Sequence, residues 1–105
     1  MGKKEFTKRL DEIGENRIRY KIVTQRGRIV DVVAQYETLI DGKWVAVVRY
    51  DCAHGFFHRD VLSLEGEKRK DVITIQDLEN SLLFAEQDLK DRWEMYKEDF
   101  VGGKK

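Results

Sequence analysis

The sequence predicts an α+β fold, an antiparallel meander of four or five strands packed by one long C-terminal helix. Three observations carry this expectation. From Arg17 to Leu62 apolar and polar residues tend to alternate with a period of two, the signature of half-buried strands. That stretch is broken by Arg26-Gly27, Asp41-Gly42 and His54-Gly55, dipeptides suited to hairpin turns. From Ile75 onward the apolar residues Leu78, Leu82, Ala85, Leu89, Trp93, Tyr96 and Phe100 recur at three and four, the period of a helix with one buried stripe.

A chain of 105 residues fits one domain, residues 1–105, with a single core. Lysine plus arginine and aspartate plus glutamate each total 20, so wholesale attraction to nucleic acid or membrane is not indicated and any basic surface must be local. Cys52 is the only cysteine and has no intrachain partner for a disulfide. No apolar run is long enough for a signal peptide or a membrane span, so a cytoplasmic protein is expected.

The elements follow in order. Phe6, Leu10 and Ile13, spaced by four and three, predict a short amphipathic helix over residues 3–13 that Gly14 ends. The sheet occupies residues 17–73. Ile18, Tyr20 and Ile22 alternate with Arg17, Arg19 and Lys21 in its first strand, and Val30, Val32, Ala34, Tyr36, Thr38 and Ile40 line one face of its second. The Asp41-Gly42 turn sets Thr38 opposite Val45, Tyr36 opposite Val47 and Ala34 opposite Arg49. Glu65-Gly66 turns the chain into a last strand over residues 67–73, so charged in its first half that it belongs at an edge. The long helix spans residues 75–100, with Thr74 as its cap and Asp77 in the third position.

The ionisable groups gather on the hairpin around His54-Gly55. A two-residue turn there puts Asp51 opposite His58, Arg49 opposite Asp60, Val48 opposite Val61 and Val47 opposite Leu62, whereas a slip of one residue faces Arg49 with Arg59. Asp51 opposite His58 fixes one tautomer of the imidazole and favours its charged form, which suits a general acid or base. Arg49 on the same face can hold a phosphate or carboxylate. The same pattern also reads as an ion-pair cluster that closes the polar end of a core face, and both readings stand at this point. His54 suits a turn position of positive φ, and it can swing toward a bound strand as an acid.

No cofactor motif is present, and the spacing of Asp51, His54, His58 and Asp60 matches no established metal site, so neither cofactor nor metal is expected. Cys52 reads as a small buried apolar residue, and Arg17, Arg19, Lys21, Lys68, Arg69 and Lys70 as solvated edges. One helix covers one face of the sheet. Val33, Leu39, Trp44, Val48, Tyr50, Phe57 and Val61 are left for the other, which predicts a homodimer burying Trp44 or Trp93.

The strand Val48-Arg49-Tyr50-Asp51, then Gly55, His58-Arg59 and the helix entry Thr74-Ile75-Gln76-Asp77-Leu78, resembles the TumE-like toxins of toxin-antitoxin pairs. The likeness covers about residues 20–89 in order of elements. Position by position Arg49, Tyr50, Asp51, His58 and Arg59 match, while Asp60 stands where that family has a second histidine. The resemblance implies a protein that binds or cleaves RNA without a metal, partnered by a cognate antitoxin. His58, Asp51, Arg49 and His54 would then be catalytic, with Arg59 and Tyr50 binding substrate. A non-catalytic dimeric interaction module is the alternative.

Overall fold

The computed structural model describes residues 1–52, 57–75 and 77–102. Within them the chain runs β1 (Gly2–Arg9), β2 (Asn16–Gln25), β3 (Arg28–Ile40), β4 (Lys43–Asp51), β5 (His58–Leu62), β6 (Lys68–Val72) and α1 (Leu78–Gly102). The described strands form one antiparallel sheet in sequence order, and α1 packs across β3 and β4 on one face. The α+β class, the meander and the C-terminal helix are as the sequence predicts, with six strands rather than four or five. No described helix is long and apolar enough to cross a membrane.

The additional strand replaces the expected N-terminal helix. Residues Gly2–Arg9 pair along β2, with Phe6 opposite Tyr20 and its ring stacked on the tyrosine at 4.7 Å. The helical stripe fails because its third residue, Ile13, stays 74% exposed, whereas the free edge of β2 offers backbone partners along its length. The β1–β2 connection is held by the Asp11 carboxylate, which accepts from the Gly14, Glu15 and Asn16 amides at 2.9, 3.1 and 3.3 Å and from Asn16 Nδ2 at 2.7 Å. Gly14 has a φ of 79°, which glycine adopts at little cost.

Two-residue turns align the middle of the sheet. Arg26-Gly27 and Asp41-Gly42 carry positive φ at both positions, 55° and 77° in the first and 52° and 77° in the second, as a type I′ turn requires. Thr38 therefore faces Val45 as expected. Beyond that pair the alignment departs from the expected one: Tyr36 faces Val48 rather than Val47, and Ala34 faces Tyr50 rather than Arg49. The cause is a β-bulge at Val47, which leaves that residue without a partner on β3 and sends both Val47 and Val48 into the core. A second bulge, at Val30, leaves that side chain exposed in place of the core position predicted for it.

The bulge at Val47 exchanges the faces of everything after it. Val48, Tyr50, Phe57 and Val61 join the core against α1 instead of the second face, while Arg49 and Asp51 turn away from the helix. The apolar surplus that predicted a dimer is thereby mostly absorbed. Trp44 remains on the far face with the Arg17 guanidinium 3.8 Å from its ring centre, and Trp93 meets Tyr36 edge-on at 6.1 Å.

Ser81, Ala85, Leu89, Tyr96 and Phe100 are the buried residues of α1. Its cap is Asp77, not Thr74: Asp77 Oδ1 accepts the Asn80 amide at 2.7 Å, and residues 73–75 lie outside the helix. Aspartate caps the N-terminus better than a β-branched threonine three residues earlier, since its charge also meets the helix dipole. The Glu65-Gly66 turn forms, with Gly66 at φ 93°, and leads into the charged edge strand β6.

Candidate functional site

On the face away from α1, β4 and β5 align as predicted, with Asp51 opposite His58, Arg49 opposite Asp60 and Val48 opposite Val61. The His54-Gly55 turn lies outside the described residues, and so does the predicted acid His54. Alternation along two adjacent strands puts Arg49, Asp51, His58 and Asp60 on one side of the sheet. His58 Nε2 lies 2.8 Å from Asp51 Oδ1 and 3.7 Å from Asp60 Oδ2. All three residues are buried, His58 to 2% exposure, although α1 is on the other side of the sheet.

Arg49 does not bind the aspartate it faces. Its Nε donates to Asp51 Oδ2 at 2.7 Å and its Nη1 to Gln35 Oε1 at 3.0 Å. Gln35 in turn donates to Glu37 at 2.7 Å, and Glu37 accepts from Arg17 at 2.8 Å. A chain of charge-assisted hydrogen bonds thus runs across β2, β3 and β4 and fixes the outer oxygen of Asp51. Asp60, without Arg49, keeps one buried carboxylate oxygen, Oδ1, that has no hydrogen-bond partner among the described residues.

Tyr50 and Arg59 lie on the opposite face, under the helix. Tyr50 donates to Asp88, Tyr96 donates to the same carboxylate oxygen at 2.6 Å, and Arg59 reaches it at 3.4 Å while pairing with Asp71 at 3.1 Å. Burial first, and then the hydrogen bond to Asp88, push the Tyr50 phenol up and hold that of Tyr96 at about 12. Sheet alternation therefore divides the predicted site in two: Arg49, Asp51 and His58 on one side, Tyr50 and Arg59 on the other, tethering the helix. Asp88 and Tyr96 were missed as members of this network, and their only signal was a carboxylate next to the buried stripe of α1.

Beside the Arg49 network the away face has a depression of about 240 Å³ lined by Arg19, Lys21, Arg49, Gln35 and Glu5. Arg19 is exposed and has no ion pair among the described residues, while Lys21 reaches Asp31 at 3.6 Å. The alternation of Arg17, Arg19 and Lys21 in the sequence marked these as solvated edge residues, and the third strand is what gathers them around Arg49. On the other side of the sheet α1 carries seven acidic against three basic residues. The Cys52 thiol donates to Asp31 Oδ1 at 3.2 Å and burial pushes its pKa up, which suits an inert thiol.

No curated protein matches the chain, and no solved structure does. The family model described as a domain of unknown function, DUF7718, matches residues 1–105, end to end. The chain, with its buried Asp51–His58–Asp60 cluster and its helix-capped meander, belongs to the DUF7718 family.

Proposed function

We propose that this protein binds single-stranded RNA on the face of the sheet away from α1, in a toxin-antitoxin-related setting with a cognate antitoxin as partner. The observation that carries the reading is the convergence of Arg19, Lys21 and Arg49 with Gln35 around one depression, on the side opposite an acidic helix. Guanidinium and ammonium groups in a row track a phosphate backbone, and a chain of zero net charge meets the requirement that its basic surface be local. RNA is chosen among polyanions on the likeness of the Arg49-Tyr50-Asp51 and His58-Arg59 strands to TumE-like toxins. Binding rather than cleavage is proposed, because His58 Nε2 is engaged by Asp51 and almost wholly buried, out of reach of a ribose hydroxyl. Adding a single-stranded RNA to isotope-labelled protein tests it: the amides of Arg19, Lys21, Gln35 and Arg49 are expected to shift. Shifts confined to α1, or none, would refute it.

A second reading, a non-catalytic homodimeric interaction module, is favoured by Phe84 and Met95, half-exposed apolar residues about three turns apart on α1. Sedimentation at micromolar concentration separates the two. A dimer that Met95→Lys dissociates supports the module, and a monomer removes it.

A further inference from the structure

Asp51, His58 and Asp60 present two carboxylates to one imidazole edge, and a single proton on Nε2 can serve only one of them. Nε2 lies 2.8 Å from Asp51 Oδ1, while Asp60 Oδ2 stands at 3.7 Å and Asp60 Oδ1, buried, has no hydrogen-bond partner among the described residues. An unpaired carboxylate oxygen shut away from water is costly, and a cation among the three groups would satisfy both acids at once. We propose that Asp51, His58 and Asp60 form a binding site for a first-row divalent cation such as Zn²⁺.

The donor atoms already lie within 4.8 Å of one another. Zinc bonds of about 2.0–2.2 Å put neighbouring ligands roughly 3.3 Å apart, so small rotations of the Asp51 and Asp60 side chains are enough. One imidazole nitrogen with two carboxylate oxygens suits zinc or manganese better than magnesium or calcium, which prefer oxygen alone. The outer shell is in place as well: Arg49 holds Asp51 Oδ2 at 2.7 Å and Gln35 holds Arg49, so one ligand is oriented before the ion arrives. On binding, the ring holds one proton on Nδ1, any second proton leaves to solvent, and the Nε2 lone pair takes the metal. The spacing in sequence matches no known motif because two ligands are alternate residues of β5 and the third comes from the neighbouring strand. The site does not depend on RNA binding, since its groups on β4 and β5 are buried and it uses none of Arg19, Lys21 or Gln35 as a ligand.

Titration of the chelator-treated full chain with ZnCl₂ tests this, followed by calorimetry and by the imidazole ¹⁵N resonances of the two histidines, assigned with His54→Gln. The expected result is saturation at one equivalent with a shift of the His58 Nε2 resonance. Asp60→Asn, with an unchanged circular dichroism spectrum, should lower the affinity by about 100-fold or more, since even an outer-shell partner is worth 10- to 100-fold. Zinc that leaves the His58 resonance in place would overturn the site, as would Asp60→Asn binding as tightly as the native chain. The resonance needs no variant at Asp60, so it decides alone if that substitution unfolds the protein.

Discussion

Asp51 and His58 face each other across β4 and β5, with Oδ1 2.8 Å from Nε2 in a setting where both side chains are buried. The pair is one strut of a polar layer that continues through Arg49, Gln35 and Glu37 to Arg17. Removing the imidazole takes from the buried Asp51 and Asp60 carboxylates the ring they share, and breaking a buried pair from one side costs about 3–5 kcal/mol. His58→Ala should therefore lose roughly that much stability in urea unfolding of metal-free protein. Asp60→Asn should cost far less, because it removes a charge whose Oδ1 has no partner among the described residues. Equal losses in the two variants would contradict this account of the cluster.

Asp88 gathers the polar contacts of α1 with β4 and β5, as Glu86 does with Tyr20 of β2 and Lys8 of β1. Asp88 accepts from Tyr50 and Tyr96 and pairs with Arg59, all from a side chain only 8% exposed. Asp88→Ala leaves two phenols without their acceptor while Arg59 keeps Asp71, and at about 1–3 kcal/mol for each buried group left unsatisfied the total loss should reach at least about 2 kcal/mol. The midpoint of urea unfolding should fall with little change in slope. A loss under about 0.5 kcal/mol, the range of an ordinary surface substitution, would mean that apolar packing of Leu89 and Phe100, with the Glu86 contacts to Tyr20 and Lys8, holds α1 without Asp88.

All four tyrosines of the chain, Tyr20, Tyr36, Tyr50 and Tyr96, have phenol pKa values raised by burial first and above all, Tyr96 to about 12. A raised value in the folded state means that the fold favours the protonated phenol. That contribution to stability is fully present below the ordinary value of about 10 and is lost as pH rises through the folded values. Absorbance at 295 nm should accordingly show little phenolate in the native protein at pH 10.5, and well over half ionised in urea at the same pH. Native protein that titrates like the unfolded chain would refute the buried tyrosine layer.

The sequence showed most plainly what the backbone itself demands. Asp41-Gly42 and Arg26-Gly27 declared two turns of positive φ, and the apolar stripe from Leu78 to Phe100 declared a helix, because both depend on local geometry. The Asp51–His58 alignment was legible because only one register pairs unlike charges. A bulge leaves no trace in a period of two, so Val47 was misplaced, and with it the side of the sheet on which Arg49 and Tyr50 lie. The first nine residues contain a single large apolar side chain beyond Met1, Phe6, and one residue cannot distinguish a helix from an edge strand. That Arg49 reaches along its own strand to Asp51, rather than across to Asp60, is a rotamer choice that no pattern of residue types records.

If the face carrying Arg19, Lys21 and Arg49 tracks phosphates, RNA binding there must depend on salt. Fluorescence anisotropy of a labelled single-stranded RNA should be measured over a range of salt concentrations, for the native protein and for Arg19→Ala/Lys21→Ala. Both residues lie away from the buried cluster, so folding should be preserved. Binding should weaken with salt, and the double variant should show a log–log slope shallower by roughly 1.4 for two lost phosphate contacts on a single strand. An unchanged slope and affinity in the folded variant, or no binding by the native protein even at low salt, would contradict it.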